Sequence, residues 1–351
     1  MKDTLDFIII GAQKAGTTSL FEYLRNHPDL QLPDGKEAPF FSHASAYERG
    51  WEDYILKTFA LTESDARWGT ATPQYMVGGL WEQPNPAGEN GYDERTVPRR
   101  IYEQLPQVRL IAILRDPAER ARSHHRMSVM NDIEQRPFAQ AIDDLLRPEA
   151  LAEARREPRE ITGYVTWGEY GRILTGYLDV FPRDQILVLF TDELEREPER
   201  LLRRIYEFLG VRADFMPANV GERYRVGGSD RRFSWLGTNS PLNPWAMQRA
   251  LTSSKGATRL WHALPQTRRR QIDGLVRRVG YRMDLWNRRS AAAPVDDDEA
   301  TINRLREHYA PDALRLAEQM GGEPPWAQSS GAGGELTAAR SSSPEARTPS
   351  H

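Results

Sequence analysis

Phe7-Ile8-Ile9-Ile10-Gly11-Ala12-Gln13-Lys14-Ala15-Gly16-Thr17-Thr18-Ser19 is the stretch that decides the fold. Its first four residues form a continuous aromatic and β-branched run, the pattern of a strand buried on both faces of a parallel sheet. A turn carrying Gly11 and Gly16 follows, and residues 19–26 read as a helix stopped by Pro28. Strand, glycine turn and helix start, in this order, make an anion site. The start of a helix leaves backbone N–H groups without partners and carries about half a positive charge. Gly11 and Gly16 permit close backbone approach, Lys14 adds a full charge, and Thr17, Thr18 and Ser19 add hydroxyl donors.

The alternation continues outward from this unit. Residues 108–114 read as a second buried strand, entering Arg115-Asp116-Pro117 and a helix from 118 to about 130. Residues 185–190 read as a third strand, left through Thr191-Asp192-Glu193. Pro198 then opens a helix with Leu201, Leu202, Ile205, Phe208 and Leu209 on one side, closed by Gly210. Residues 66–71 add a further strand. The pattern predicts an α/β fold: a P-loop-like three-layer domain with a central parallel β-sheet flanked by helices. Such sheets bind ligands beyond the carboxyl ends of their strands.

The bulk numbers bound the rest. The chain has 351 residues, 39% hydrophobic and 28% charged, with a formal net charge of −3. That balance argues against a nucleic-acid partner, so an anion site must be local. With no cysteine, disulfides, thiolate metal sites and cysteine nucleophiles are excluded. The apolar run near the N-terminus is too short and too acidic for a signal peptide, and no segment approaches the ~20 apolar residues of a membrane span. The expected location is therefore cytoplasmic. Residues 81–97 read as a loop, 220–290 as an arginine-rich lid or acceptor region, 302–320 as helical, and 328–351 as a disordered tail. Residues 1–325 are read as one domain, and the oligomeric state is open.

Two further segments carry candidate chemistry. The Arg115 fork with Ser123 about two helical turns on suits a compact phosphate, the alternative being an arginine paired with Asp116 or Glu119. Glu37, in Lys36-Glu37-Ala38-Pro39-Phe40-Phe41, is a loop carboxylate beside aromatics. Desolvation there would raise its pKa toward a useful base, the alternative being a solvated carboxylate. A nucleotide triphosphatase would show G-x-x-x-x-G-K-[ST], but here Thr17 follows the second glycine and Lys14 precedes it.

Lys14-Ala15-Gly16-Thr17-Thr18-Ser19-Leu20 resembles the 5′-phosphosulfate loop of sulfotransferases that use 3′-phosphoadenosine 5′-phosphosulfate (PAPS). Residues 7–42 resemble the heparan sulfate N- and 3-O-sulfotransferase branch and its bacterial relatives, and the likeness extends over roughly residues 5–215. It implies that Gln13 through Ser19 bind the nucleotide's 5′ side and that Arg115 and Ser123 bind its 3′-phosphate. It implies Lys14 as a catalytic cation and Glu37 as the general base. His43 is a weaker alternative base, and His124 is next in line. Phe40, Phe41, His43, Thr72, Pro73 and Tyr75 fall on the acceptor side, and Arg225 and Arg231 fall where relatives place a loop over the nucleotide. Pro39 and Ser42 stand where some relatives carry histidine and aspartate, and Ala71 stands where heparan enzymes often have lysine.

The reading is sulfuryl transfer from PAPS to a hydroxyl or amine of a saccharide or small-molecule acceptor, releasing 3′-phosphoadenosine 5′-phosphate (PAP). A sulfate monoanion needs less neutralisation than a γ-phosphate, so no catalytic metal is expected. The rivals are a P-loop-type nucleotide kinase and a non-catalytic PAP-binding protein.

Overall fold

The structure is a computed structural model that describes residues 4–33, 35–37, 39–59, 65–77, 93–131, 133–222, 224, 229–231, 288–290 and 299–329. Five parallel strands form one sheet: β1 (Phe7–Gly11), β2 (Leu30–Gln31), β3 (Arg67–Ala71), β4 (Arg109–Leu114) and β5 (Ile186–Phe190). Their order is β2-β3-β1-β4-β5. From β1 the chain moves to one side of the sheet for β2 and β3, then crosses back for β4 and β5. The switch lies between β1 and β4, so a crevice opens there at the carboxyl ends. Phe7 aligns with Gly69 on one side and with Arg109 on the other.

Side chains alternate across the sheet as strand geometry demands. Ile8, Ile10, Leu110, Ala112 and Leu114 join one core cluster with Trp68, Tyr75, Ile101, Tyr170 and Tyr177. Phe7, Ile9, Ile111 and Ile113 join the other, with Leu20, Leu24, Leu201, Leu202 and Ile205. Both faces are covered, which gives the three-layer α/β architecture expected from the sequence.

The helices are α1 (Thr17–Leu24), α2 (Ala44–Glu48), α3 (Trp51–Thr58), α4 (Thr96–Gln104), α5 (Pro117–Met130), α6 (Phe138–Leu145) and α7 (Pro148–Arg156). Then come α8 (Gly163–Thr166), α9 (Tyr170–Leu178), α10 (Thr191–Arg196), α11 (Pro198–Leu209), α12 (Glu299–Met320) and α13 (Pro325–Ser329). Four boundaries correct the sequence reading. The first helix begins at Thr17, because Gly16 already caps it. Thr96 and Val97, read as loop, open α4, whose Pro98 sits in the first turn where an N–H has no helical partner. Thr191-Asp192-Glu193 is itself helical, because the Glu193 carboxylate accepts from the Phe190 N–H at 3.1 Å. Residue 328, where the tail was expected to start, lies in α13, and residues 330–351 lie outside the described set.

The C-terminal helix docks on charge. Glu169, 3% exposed, accepts from Arg155, Arg172 and His308. Burial raises its pKa, but these partners hold it down to about 2. On α12, Asp312 accepts from the N–H groups of Gly171 and Arg172 at 2.7 and 2.8 Å.

The chain divides into two units, residues 1–225 with 296–351, and 226–295. Of the second, the described part is an antiparallel pair, β6 (Ser229–Arg231) and β7 (Arg288–Ser290), in which Arg231 aligns with Arg288. Of the arginine-rich segment, residues 223, 225–228 and 232–287 lie outside the described residues.

Candidate functional site

The anion loop leaves β1 at Gly11. A Cβ on Gly11 would meet the Met76 Cβ at 2.5 Å, so only glycine fits. Lys14 has φ 70, a left-handed conformation unusual for a residue with a side chain. Gly16, at φ 94, caps α1 without any side-chain cap bond, so the first N–H groups of α1 face the loop uncapped. Three contacts pin this loop. The Ala12 N–H donates to the Ile113 carbonyl at 2.7 Å. The buried Thr191 hydroxyl lies 2.7 Å from the Ala15 carbonyl and 3.0 Å from that of Leu114. The Gln13 amide donates to Glu160 at 3.0 Å. The Lys14 ammonium lies 3.8 Å from the Met127 sulfur on α5. Thr17 and Ser19 are buried, and the Ser19 hydroxyl accepts from the Tyr224 N–H at 3.1 Å.

The second loop leaves β4, the neighbour of β1. Asp116 is a helix cap, accepting from the N–H groups of Ala118 and Glu119 at 2.9 and 3.3 Å. Of the two arginine partners weighed from the sequence, Glu119 is therefore the one engaged. Arg115 meets it at 3.4 Å, while Arg122 holds the same oxygen at 2.6 Å. Arg115 is thus loosely held and one-third exposed. Ser123 lies on the same helix and is half-buried. Uncapped N–H groups, Lys14 and Arg115 form a cationic, donor-rich set at adjacent strand ends. Beside this set, the side-chain amide oxygen of Gln13, an acceptor, is buried with no hydrogen-bond partner among the described residues. The donors and cations at the two strand ends suit a nucleotide with anionic groups at both ends.

Glu37 is exposed, 39% by side chain. It accepts from Lys36 and from Gln74, each at 3.3 Å. This corrects the expected desolvation by the neighbouring aromatics, whose rings turn the other way. Phe40 and Phe41 are buried and pack against the partly buried Tyr47 and Trp51 and the buried Tyr54. They form the wall that carries the loop. The Tyr75 hydroxyl accepts from the Phe40 N–H at 2.8 Å, and burial pushes its pKa up to about 12. Tyr177 donates to the Tyr75 carbonyl at 2.6 Å, and the Thr72 N–H donates to Ile9 at 3.0 Å. The Thr72-Pro73-Gln74-Tyr75 turn thereby ties the Glu37 loop to the end of β1. His43 flanks α2, with its ring nitrogen 3.2 Å from the Ser42 hydroxyl. Arg225 lies outside the described residues, and Arg231 is placed as backbone only, in β6.

Sequence reading missed four contributors. Gln74 was read only as part of its segment. Thr191 and Glu160 reach the site from elements distant in the chain, so no local pattern marks them, while Arg120 lies on α5 close after Arg115 and was read only as part of its helix. His124, named only as a reserve base, is fully buried. Burial, offset by Glu160 and reinforced by Arg120, lowers its pKa to about 4. Among the described residues no group of three or more His, Asp or Glu could hold a metal ion, and no helix is long and apolar enough to cross a membrane.

A family model described as Sulfotransferase domain matches residues 4–224. Mouse heparan sulfate glucosamine 3-O-sulfotransferase 3B1 is 28% identical over 211 residues, covering 58% of this chain and 46% of that protein. Mouse bifunctional heparan sulfate N-deacetylase/N-sulfotransferase 1 is 27% identical over 210 residues, covering 58% and 22%. The chain thus spans less than half of these curated relatives. A solved sulfotransferase from Alicyclobacillus acidocaldarius aligns with a TM-score of 0.49 at 28% identity, covering 63% of this chain and 87% of that one.

Proposed function

We propose, from the premise that the chain belongs to the Sulfotransferase domain family, that it transfers a sulfuryl group from PAPS to a hydroxyl or amine acceptor. The observation that carries the reading is the juxtaposition of two anion loops at the carboxyl ends of neighbouring strands β1 and β4. When bound, PAPS supplies the sulfuryl group and a nucleotide leaving group. Lys14 and the N–H groups opening α1 hold the 5′ side and stabilise negative charge that grows there during transfer. Arg115 and Ser123 hold the 3′-phosphate, with Arg115 exchanging its 3.4 Å contact to Glu119 for the stronger anion. Glu37 takes the acceptor's proton, and Lys36 and Gln74 aim its carboxylate.

The acceptor is a saccharide or a small molecule. The heparan sulfate relatives support a saccharide, while Ala71 in place of a lysine removes one cation that a polyanionic chain would use. Positioning supplies much of the remaining rate. A thermal scan tests the nucleotide assignment. PAP should raise the melting temperature by mass action and ATP should not. Equal shifts with the two nucleotides would contradict the PAPS reading and favour a kinase.

A further inference from the structure

Lys14 is held in an unfavourable backbone conformation, at φ 70, and such conformations persist only where neighbours over-determine them. Its two chain neighbours are each fastened. On one side the Thr191 hydroxyl meets the Ala15 carbonyl at 2.7 Å. On the other, the Gln13 amide donates to Glu160 at 3.0 Å. A carboxylate only accepts, so the amide nitrogen of Gln13, not its oxygen, must face it.

Glu160 is itself fixed from behind. His124 Nε2 lies 2.9 Å from the same carboxylate oxygen, Oε1. Arg120 NH1 lies 3.3 Å from His124 Nδ1, and a guanidinium only donates. Nδ1 is therefore the acceptor, and Nε2 carries the proton that goes to Glu160. The tautomer follows from the chain of contacts. Both Arg120 and His124 are fully buried. Arg120 NH2 also donates to the carbonyls of Gly163 and Tyr164 at 3.0 and 2.5 Å, and Trp167 stacks on the imidazole with ring centroids 5.0 Å apart. A relay Arg120–His124–Glu160–Gln13 thus runs from the buried side of α5 to the residue beside Lys14.

We infer that Glu160 is a positioning residue of the nucleotide site: held by His124 and Arg120, its carboxylate anchors Gln13 and so keeps Lys14 in its left-handed conformation. The meaning given to Lys14 rests on the sulfotransferase reading above. Glu160 acts on the nucleotide only through Gln13. Because both of its bonds converge on Oε1, a glutamine at position 160 can accept them both with its carbonyl oxygen.

Calorimetric titration of PAP into the full chain tests the relay. Glu160→Ala and Gln13→Ala should each weaken PAP about 10-fold, the scale of one lost charge-assisted hydrogen bond. The double variant should be no weaker than the poorer single one, because the two residues act as one unit. Glu160→Gln should bind within about 2-fold of the parent, a rescue expected only if acceptance of these two bonds is the role. In a Lys14→Ala background, Gln13→Ala should cost nothing further. If Glu160→Ala unfolds, shown by melting without ligand, the Gln13 and Lys14 pair still decides. Losses that multiply in either double variant overturn the inference, as does parental affinity in Gln13→Ala. A parent chain that binds no PAP overturns this inference together with the sulfotransferase reading, whereas a parent that binds PAP without coupling overturns the inference alone.

Discussion

The anion loop and the base loop of this protein are built in opposite ways. Residues 12–16 are pinned from three sides by Ile113, Thr191 and Glu160, at the end of strand β1, which is buried along its whole length. Glu37 is exposed, touched by two side chains at 3.3 Å, and rests on a wall of buried aromatics through the Tyr75 hydroxyl. The first arrangement presents fixed donors to a charged ligand, which costs no reorganisation when the ligand arrives. The second leaves the proton acceptor on a surface where acceptors of different shape can approach it. The contrast predicts that nucleotide binding and proton removal can be broken separately.

The largest separation should come from Glu37→Gln. Glutamine keeps the shape but takes no proton near neutral pH, so turnover should fall by about 10²–10⁴-fold. PAP affinity should stay near the parent value, because the nucleotide contacts come from other residues. Steady-state rates beside a PAP titration read both quantities, and an equal fall in the two would erase the distinction between the loops. An acceptor already partly ionised, such as an activated phenol, should suffer less than an alcohol.

Arg115→Ala should do the reverse. Loss of charge-assisted bonds to a phosphate should weaken PAP by about 10–100-fold, while adenosine 5′-phosphate, which lacks the 3′ group, should bind the variant and the parent alike. Competition binding with both nucleotides checks this. If both weaken together, Arg115 is a general cation of the loop and not a 3′-phosphate ligand.

Tyr75→Phe should loosen the base loop from below. It leaves the Phe40 N–H without its acceptor in a buried setting, which costs about 1–3 kcal/mol. Urea unfolding measures the loss, and turnover should fall more than PAP affinity does. Unchanged stability would mean that the aromatic wall alone holds the loop.

The smallest effect at neutral pH belongs to the anion side and emerges in acid. His124 has its pKa lowered from 6.5 to about 4, first by burial. The unfolded chain therefore takes up a proton that the folded chain refuses. Stability should decline as pH falls from about 6.5 to about 4 and gain no further penalty from this group below that. Comparing urea midpoints of the parent and of His124→Gln across this window isolates the term. A difference independent of pH would show that the imidazole is not held neutral.

What the sequence disclosed about these two regions follows the same divide. Phe7 to Ile10, the glycines and Pro117 at a helix start are local signals, so the α/β sheet and the course of both anion loops were legible. The fastening of the loops was not. Gln13 and Glu160 stand 147 residues apart, and Thr191 reaches Ala15 across 176. Nothing in the neighbourhood of either partner announces such a contact. Phe40 and Phe41 misled for a related reason. An aromatic pair beside a glutamate reads as its environment, yet the backbone turns the rings toward Trp51 and Tyr54 and leaves the carboxylate outside. The short helices α2 and α3 and the two-residue strand β2 are too brief for periodicity to resolve.

Transfer itself is the most direct test of the central claim. Cell extract is incubated with purified protein and PAPS carrying radiolabelled sulfate, and products are separated and identified by mass spectrometry. Label should move onto a hydroxyl- or amine-bearing acceptor with one PAP released per sulfate transferred, undiminished by EDTA and largely lost in Glu37→Gln. PAP binding without any transferred label would leave a nucleotide-binding protein in place of a sulfotransferase. Transfer of phosphate from ATP, dependent on Mg²⁺, would contradict the account at its root.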